Sequence, residues 1–240
     1  MPSAPKWIND ALERIAPSMM RTVSVLATEY ISPNIKKVLL DGSFSGLDLE
    51  PGYTISFRVN PTDSRHYTVS QADPRSGTIE FIAHLHGDAI GSNYVDALKT
   101  GDTGIKVALL GSGKQYSPKA ENQIIFGDET SLSLVSSLMP FLESNSHQYR
   151  ILLELDDCNR NIPEILGFKN CSVFIKHGIF RDIQQTREFW EPLCEEWSQA
   201  NMILTGNITS LTNLRKVLRE YSHTGKINVK GYWLEGKKGL

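Results

Sequence analysis

The sequence predicts an all-β antiparallel barrel followed by an α/β unit built on a parallel sheet. Three observations lead there. Period-two alternation of apolar and polar residues fills residues 21–110, which places one set of side chains on a core face. Beyond residue 122 apolar strands alternate with amphipathic helices, the pattern of a mostly parallel sheet covered by helices. Between the two lies a stretch, 111–122, that carries Gly111, Gly113, Ser117 and Pro118 and reads as a connector. The expected division is an N-terminal segment over 1–17, a barrel domain over 18–118 and an α/β domain over 119–240.

Each element has its own signal. Tyr53, Ile55, Phe57 and Val59 alternate with Thr54, Ser56 and Arg58; Ile79, Phe81, Ala83 and Leu85 alternate with Glu80, Ile82 and His84; Ile105, Val107 and Leu109 alternate again. Asp41-Gly42, Pro51-Gly52, Asp73-Pro74, Ser76-Gly77 and Gly101-Asp102 separate the runs as turns. Short strands at this spacing suit a barrel or a sandwich. One helix is expected after Gly91-Ser92, over 93–99. In the second half, strands are expected at 124–126, 151–155, 173–175, 202–204 and 227–233. Leu134, Val135, Leu138, Phe141 and Leu142 share a helix face. A helix is expected over 187–197, with Pro192 as a kink. Ser210 is a candidate cap for a helix carrying Leu211, Leu214, Val217, Leu218 and Tyr221 at helical spacing.

Composition narrows the classes of function. A net charge of −2 argues against a general nucleic-acid binder, which carries a basic excess. No segment approaches the ~20 apolar residues of a membrane span, so no integral membrane association is expected. Lys6, Asn9, Asp10, Glu13 and Arg14 interrupt any apolar leader, so a cytoplasmic location is expected. Cys158, Cys171 and Cys194 are odd in number and widely spaced, which favours reduced thiols over disulfides or a metal site.

Four clusters carry chemistry. In Arg65-His66-Tyr67-Thr68, Arg65 and Tyr67 share one side of a strand, and His66 and Thr68 the other. Arg offers a planar fork for phosphate, Tyr an aromatic face with a polar tip, and Thr a hydroxyl for a ring nitrogen. His86-Gly87-Asp88-Ala89-Ile90-Gly91-Ser92 runs from a strand into a helix; it reads as a plain turn or as a place where backbone N–H groups hold a pyrophosphate. His84 and His86 sit two apart on one strand face, which suits half of a metal site less well than hydrogen-bonded histidines, and no metal is expected. Gly127-Asp128-Glu129-Thr130 follows an apolar strand, where nucleotide-binding sheets put their ligands; Asp128 and Thr130 are equally good helix caps. Gly231-Tyr232-Trp233-Leu234-Glu235-Gly236 places two aromatics at a strand end, as core and cover or as the border of a flat ring. From Arg215 onward seven basic residues (Arg215, Lys216, Arg219, Lys226, Lys230, Lys237, Lys238) outweigh Glu220 and Glu235. Such a run is a solvated face or a lure for an anionic substrate.

The order R-x-Y-T, H-G ahead of G-S at a helix start, G-D-E-T after a strand and a terminal G-Y-W-x-x-G resembles the siderophore-interacting proteins of the ferredoxin-reductase superfamily, over nearly the whole chain. The resemblance implies an FAD-binding barrel and an NAD(P)H-binding-like α/β domain. It implies that Arg65, Tyr67, Thr68 and the adjoining Val69 bind FAD, with Tyr67 beside the isoalloxazine and Thr68 near N5. His86, Gly87, Gly91 and Ser92 would hold the pyrophosphate and adenosine side, and Asp128, Glu129 and Thr130 would face the flavin. Tyr232 and Trp233 would border the nicotinamide. Thr68 and Thr130 would orient the flavin, with no acid–base residue expected. The implied activity is reduction of ferric siderophores to release Fe(II), electrons passing from NAD(P)H or ferredoxin through FAD, with Lys237 and Lys238 attracting the anionic complex. Where the family has Arg, Ala and a Trp, this chain has Ser70, Gly91 and Tyr94; its G-E-A before the last helix is Gly206-Asn207-Ile208, which puts the nicotinamide more in question than FAD. The alternatives are a reductase of the same fold with another acceptor and a non-enzymatic flavin or siderophore binder.

Overall fold

A computed structural model describes residues 5, 7, 15, 17–42, 44 and 49–237. The chain divides into two compact units, Met1–Lys114 and Gln115–Leu240, a little before the 118/119 boundary expected from the sequence.

In the first unit, six strands close into a barrel rather than a sandwich. They are β1 (Met20–Ser32), β2 (Ile35–Asp41), β3 (Tyr53–Arg58), β4 (Ser64–Asp73), β5 (Thr78–His84) and β6 (Ile105–Ser112), in the order β1-β2-β5-β4-β3-β6. All pairings are antiparallel. The alternating residues fill the interior: Val38, Leu40, Ile55, Phe57, Phe81 and Val107 are fully buried, and each large apolar side chain so placed stabilises the barrel by about 1.5–3 kcal/mol. β4 bulges between Val69 and Gln71, and the extra residue, Ser70, turns its hydroxyl to Glu80 at 2.9 Å. That bulge explains why a buried position holds Ser.

Between β5 and β6 lies helix α1 (Ile90–Ala97), which starts three residues before the expected 93. Its C-terminal end is held by a buried lysine. Lys36, 2 % exposed, donates to the carbonyls of Val95 (3.1 Å), Asp96 (2.8 Å) and Leu98 (2.8 Å). A cation at this end complements the helix dipole and satisfies carbonyls that have no intrahelical partner.

The second unit has five parallel strands: β7 (Asn122–Asp128), β8 (Gln148–Leu155), β9 (Cys171–Ile175), β10 (Asn201–Asn207) and β11 (Ile227–Trp233), in the order β11-β10-β7-β8-β9. Helices α2 (Leu132–Ser144), α3 (Ile162–Ile165), α4 (Ile183–Trp190) and α5 (Ile208–Glu220) accompany it. Every residue of β10 is buried, as a central parallel strand requires. Two expectations are corrected. The helix expected over 187–197 is α4, which begins earlier because Asp182 caps it by accepting from Gln185 N–H at 2.8 Å. It ends at Trp190; Pro192 does not kink it but sits in the 3₁₀ turn Glu191–Leu193 that follows, since proline has no N–H to continue the ladder. Asn207, not Ser210, caps α5: its Oδ1 accepts from Thr209 N–H at 2.8 Å and Ser210 N–H at 3.4 Å. Among the described residues no helix is long and apolar enough to cross a membrane.

Candidate functional site

In the barrel, the register sets the site. Tyr67 pairs with Ile55 and Arg65 with Phe57, so both side chains share the face of two core residues and stand at its margin, half-buried. Tyr67 packs edge-on against Phe57 at 5.7 Å and tilted against Phe81 at 5.0 Å. Its hydroxyl donates to the Gly91 carbonyl at 3.1 Å, and burial pushes its pKa up. It is a fixed, neutral aromatic plate.

Gly91 makes this arrangement possible. A Cβ there would lie 2.9 Å from Arg65 Cγ and 3.1 Å from the Tyr67 hydroxyl, so in this chain glycine lets the first turn of α1 rest on both without displacing either side chain. That turn has no side-chain cap at Ala89, and the leading N–H groups of a helix have no intrahelical acceptors. Ser92 Oγ instead accepts from His86 N–H at 3.0 Å, tying the exit of β5 to the helix, and Gly87 turns the chain at φ +53°. Arg65 donates to the Ser64 carbonyl at 2.9 Å and lies 3.8 Å from Asp63. Its remaining fork donors have no partner among the described residues. Thr68, on the opposite strand face, keeps its hydroxyl without a protein partner among the described residues. Val69 differs: its side chain is 3 % exposed in the barrel core, so only its main chain is available to a ligand. His84 and His86 lie with ring centroids 5.6 Å apart, and His84 Nε2 is 3.4 Å from Asn34 Nδ2.

These groups fit a phosphate-bearing aromatic cofactor: an uncapped helix start, a guanidinium with spare donors, an anchored aromatic ring and a free hydroxyl. Anions bind at helix N-termini through oriented N–H groups and the dipole.

In the α/β unit the strand order reverses between β10 and β7, the point where such sheets bind ligands. Asp128 and Glu129 there are engaged by protein groups, while Glu154 Oε1, Asn207 Nδ2 and Ser210 Oγ are buried without a hydrogen-bond partner among the described residues. Asp128 is 2 % exposed. It accepts from Thr130 N–H at 2.9 Å, from the Thr130 hydroxyl and from Trp233 Nε1 at 2.7 Å, while burial raises its pKa. Gly206, at φ +103°, makes room for it: a Cβ would meet Asp128 Oδ2 at 2.5 Å. Glu129 is fully buried and accepts from Lys176 Nζ at 2.8 Å, Asp156 N–H at 2.6 Å and Asn159 Nδ2 at 3.2 Å. Lys176 and Arg181 stand over the Trp233 ring at 5.4 and 5.7 Å. Trp233 is therefore held by its N–H and by two cations. Tyr232 is half-buried beneath Lys230, 5.7 Å from its ring.

The structure thus joins Arg65, Tyr67, Gly91 and Ser92 in one group and Asp128, Thr130 and Trp233 in another. Lys237 is exposed at the end of the described residues, and Lys238 lies outside them. Sequence reading missed Lys36, Lys176, Arg181 and Glu154. Glu154 pairs in register with Asp128, and burial, abetted by Asp128, raises its pKa from 4.5 to about 7. Nothing in a lone Lys or Glu on a strand signals such partners.

No family model matches this chain. It is 24 % identical over 229 residues to the mycobactin import ATP-binding/permease protein IrtA of Mycobacterium tuberculosis, covering 90 % of this chain and 26 % of that protein; it spans about a quarter of the curated relative it matches. In fold it is similar to a siderophore utilization protein from T. fusca (TM-score 0.69, 18 % identity, 92 % of this chain and 95 % of that one). It is also similar to phthalate dioxygenase reductase (TM-score 0.69, 14 % identity, 90 % and 68 %). The chain has the ferredoxin-reductase-like fold that siderophore-interacting proteins share.

Proposed function

We propose that this chain is a flavin-dependent reductase whose barrel holds FAD and whose acceptor is a ferric siderophore. The observation that carries the reading is the contact of Arg65 and Tyr67 with Gly91 at the uncapped start of α1. Arg65 and the α1 N–H groups would bind the pyrophosphate. Tyr67, locked by Phe57, Phe81 and the Gly91 carbonyl, would flank the flat ring, and the Thr68 hydroxyl would donate toward N5. The similar proteins, a siderophore utilization protein and a mycobactin import ATP-binding/permease protein, support the acceptor.

FAD, when bound, supplies the conversion between a two-electron donor and one-electron delivery to iron. Siderophore oxygens are hard ligands suited to Fe(III); one electron per iron gives Fe(II), which they hold weakly. The protein's task is to orient and exclude water, and no side chain at the barrel site is needed as acid or base. In the second unit, Asp128 and the two cations fix the Trp233 ring, while Tyr232 and Thr130 complete that edge. Lys237 and Lys238 would draw in the anionic complex.

A second reading of the electron source has its own support. Asn207 stands where the family resemblance places Glu, and it caps α5, so the helix start is already satisfied. This favours reduced ferredoxin over NAD(P)H. Absorption spectroscopy of the purified chain, with flavin release on denaturation, tests the cofactor; protein that takes up no FAD even on reconstitution rejects the reading. Anaerobic stopped-flow bleaching with NADH, NADPH and reduced ferredoxin then ranks donors. A ferrous-specific chelator reports Fe(II) from the ferric siderophore, and flavin reduction without Fe(II) would leave the fold's reductase with another acceptor.

A further inference from the structure

One flank of the α/β unit has a feature that electron transfer does not use. β11 ends the sheet, so its outer row of N–H and C=O groups has no neighbouring strand among the described residues, an arrangement that invites another strand. Beside it, between β11 and α5, runs a groove of about 570 Å³. Its floor is apolar, made by Ile208, Leu211, Val229 and Gly231, and its wall is α5 with Thr212, Arg215, Lys216, Arg219 and Glu220. Val229 is 41 % exposed, a large apolar residue left open on an edge strand.

The three cations have no ion-pair or hydrogen-bond partner among the described residues. The acid beside them, Glu220, is engaged elsewhere: Arg187 holds it from Nε at 3.1 Å and Nη2 at 2.9 Å. The groove is therefore positive above an apolar floor, and this charge selects its occupant.

We infer that the β11–α5 flank receives an extended acidic segment of a partner protein as an added strand. Geometry matches charge. A strand laid on β11 lies about 4.8 Å away, and its alternate side chains, about 6.7 Å apart, face α5. Arg215 and Arg219 are four residues apart on the helix, a rise of about 6 Å. Two acidic residues at i and i+2 of the partner meet these two guanidiniums, and an apolar residue on the same face covers Val229, Ile208 and Leu211. Main-chain bonds to β11 supply affinity, and the side-chain pattern supplies selection. The inference does not rest on the flavin reading.

The probe is a fluorescein-labelled synthetic peptide of about ten residues, valine then glutamates on one strand face, titrated into the full chain by anisotropy. Saturable binding is expected, with salt weakening it and slowed amide exchange at Val229 and Gly231, whose N–H groups alternate away from β10. Arg215→Glu/Lys216→Glu/Arg219→Glu, all exposed positions, is expected to bind about tenfold more weakly or worse, as three exposed ion pairs become repulsions, with the folded circular-dichroism spectrum and a cooperative melting transition retained. The same peptide N-methylated at alternate residues is expected not to bind. Absence of binding by the parent peptide, equal binding by the N-methylated form (simple attraction to a charged face) or equal binding by the charge-reversed variant would each overturn the inference.

Discussion

The barrel and the α/β unit treat their polar groups in opposite ways. Around Arg65 and Gly91 the barrel leaves hydrogen-bonding capacity open among the described residues: a guanidinium with one firm partner, a helix start without a side-chain cap, a Thr68 hydroxyl without a protein acceptor. At the corresponding strand ends of the α/β unit, Asp128, Glu129 and Asn207 are buried and engaged with protein groups. Open capacity beside rigid aromatics is what a tightly held ligand requires; a closed polar cluster instead fixes one aromatic, Trp233. Under the proposed function, the contrast would correspond to a resident cofactor in one unit and a transient donor at the other.

The largest expected effect tests how closed the α/β cluster is. Lys176→Met removes the cation 2.8 Å from the fully buried Glu129 carboxylate, which costs about 3–5 kcal/mol for a buried pair broken on one side. The urea midpoint reads this loss. A change below about 1 kcal/mol, the scale of an exposed pair, would show the cluster open to water and remove half of the contrast.

Next in size is a pH effect from the same edge. Glu154 has a folded pKa of about 7 against an ordinary 4.5. Burial is the main cause; Asp128 adds to it, while Ser210, Arg181 and Lys176 oppose it. The folded state therefore holds a proton that the unfolded chain has already lost between those values. The stability this lends is complete below pH 4.5 and disappears as pH rises through 7. The change is on the order of 3 kcal/mol. Glu154→Gln is expected to flatten the stability profile between pH 5 and 8 and to be the more stable form at pH 8. An unchanged slope would mean that Glu154 ionises as freely as an exposed acid.

In the barrel, Gly91→Ala is expected to force Arg65 and Tyr67 aside. Overpacking of this kind costs about 1–3 kcal/mol, and here it falls on the ligand site. The expected reading is flavin retention about tenfold weaker by equilibrium dialysis with FAD, with Lys36 keeping the far end of α1 in place. Normal retention would show that the first turn of α1 tolerates displacement.

These two sites were unequally legible in the sequence. R-x-Y-T on a period-two strand places Arg65 and Tyr67 on one face, because alternation is local and every second residue obeys it. The barrel itself was readable for the same reason. Gly-Asp-Glu-Thr gives no such information: what Asp128 does depends on Trp233, 105 residues away, and on a positive φ at Gly206. Lys36 reads as a strand lysine until the end of α1 arrives above it, about 60 residues later. Ser210 and Asn207 are both good capping types, and only the end of β10 decides between them.

That decision is itself the finest test of the contrast. Asn207 holds α5 through Oδ1, but its Nδ2 is buried and has no partner among the described residues. Asn207→Ser keeps an oxygen cap and discards the idle donor, so stability should shift by no more than about 0.5 kcal/mol. Asn207→Ala exposes the first N–H groups of α5 and should cost about 1 kcal/mol. It also turns this helix start into the kind the barrel already has, uncapped and able to take a phosphate. If the α/β edge is closed by Asn207, Asn207→Ala gains NADPH affinity, seen as faster flavin bleaching at low NADPH, while Asn207→Ser does not. Equal rates for both would place the closure elsewhere, in the buried group around Asp128 and Glu129.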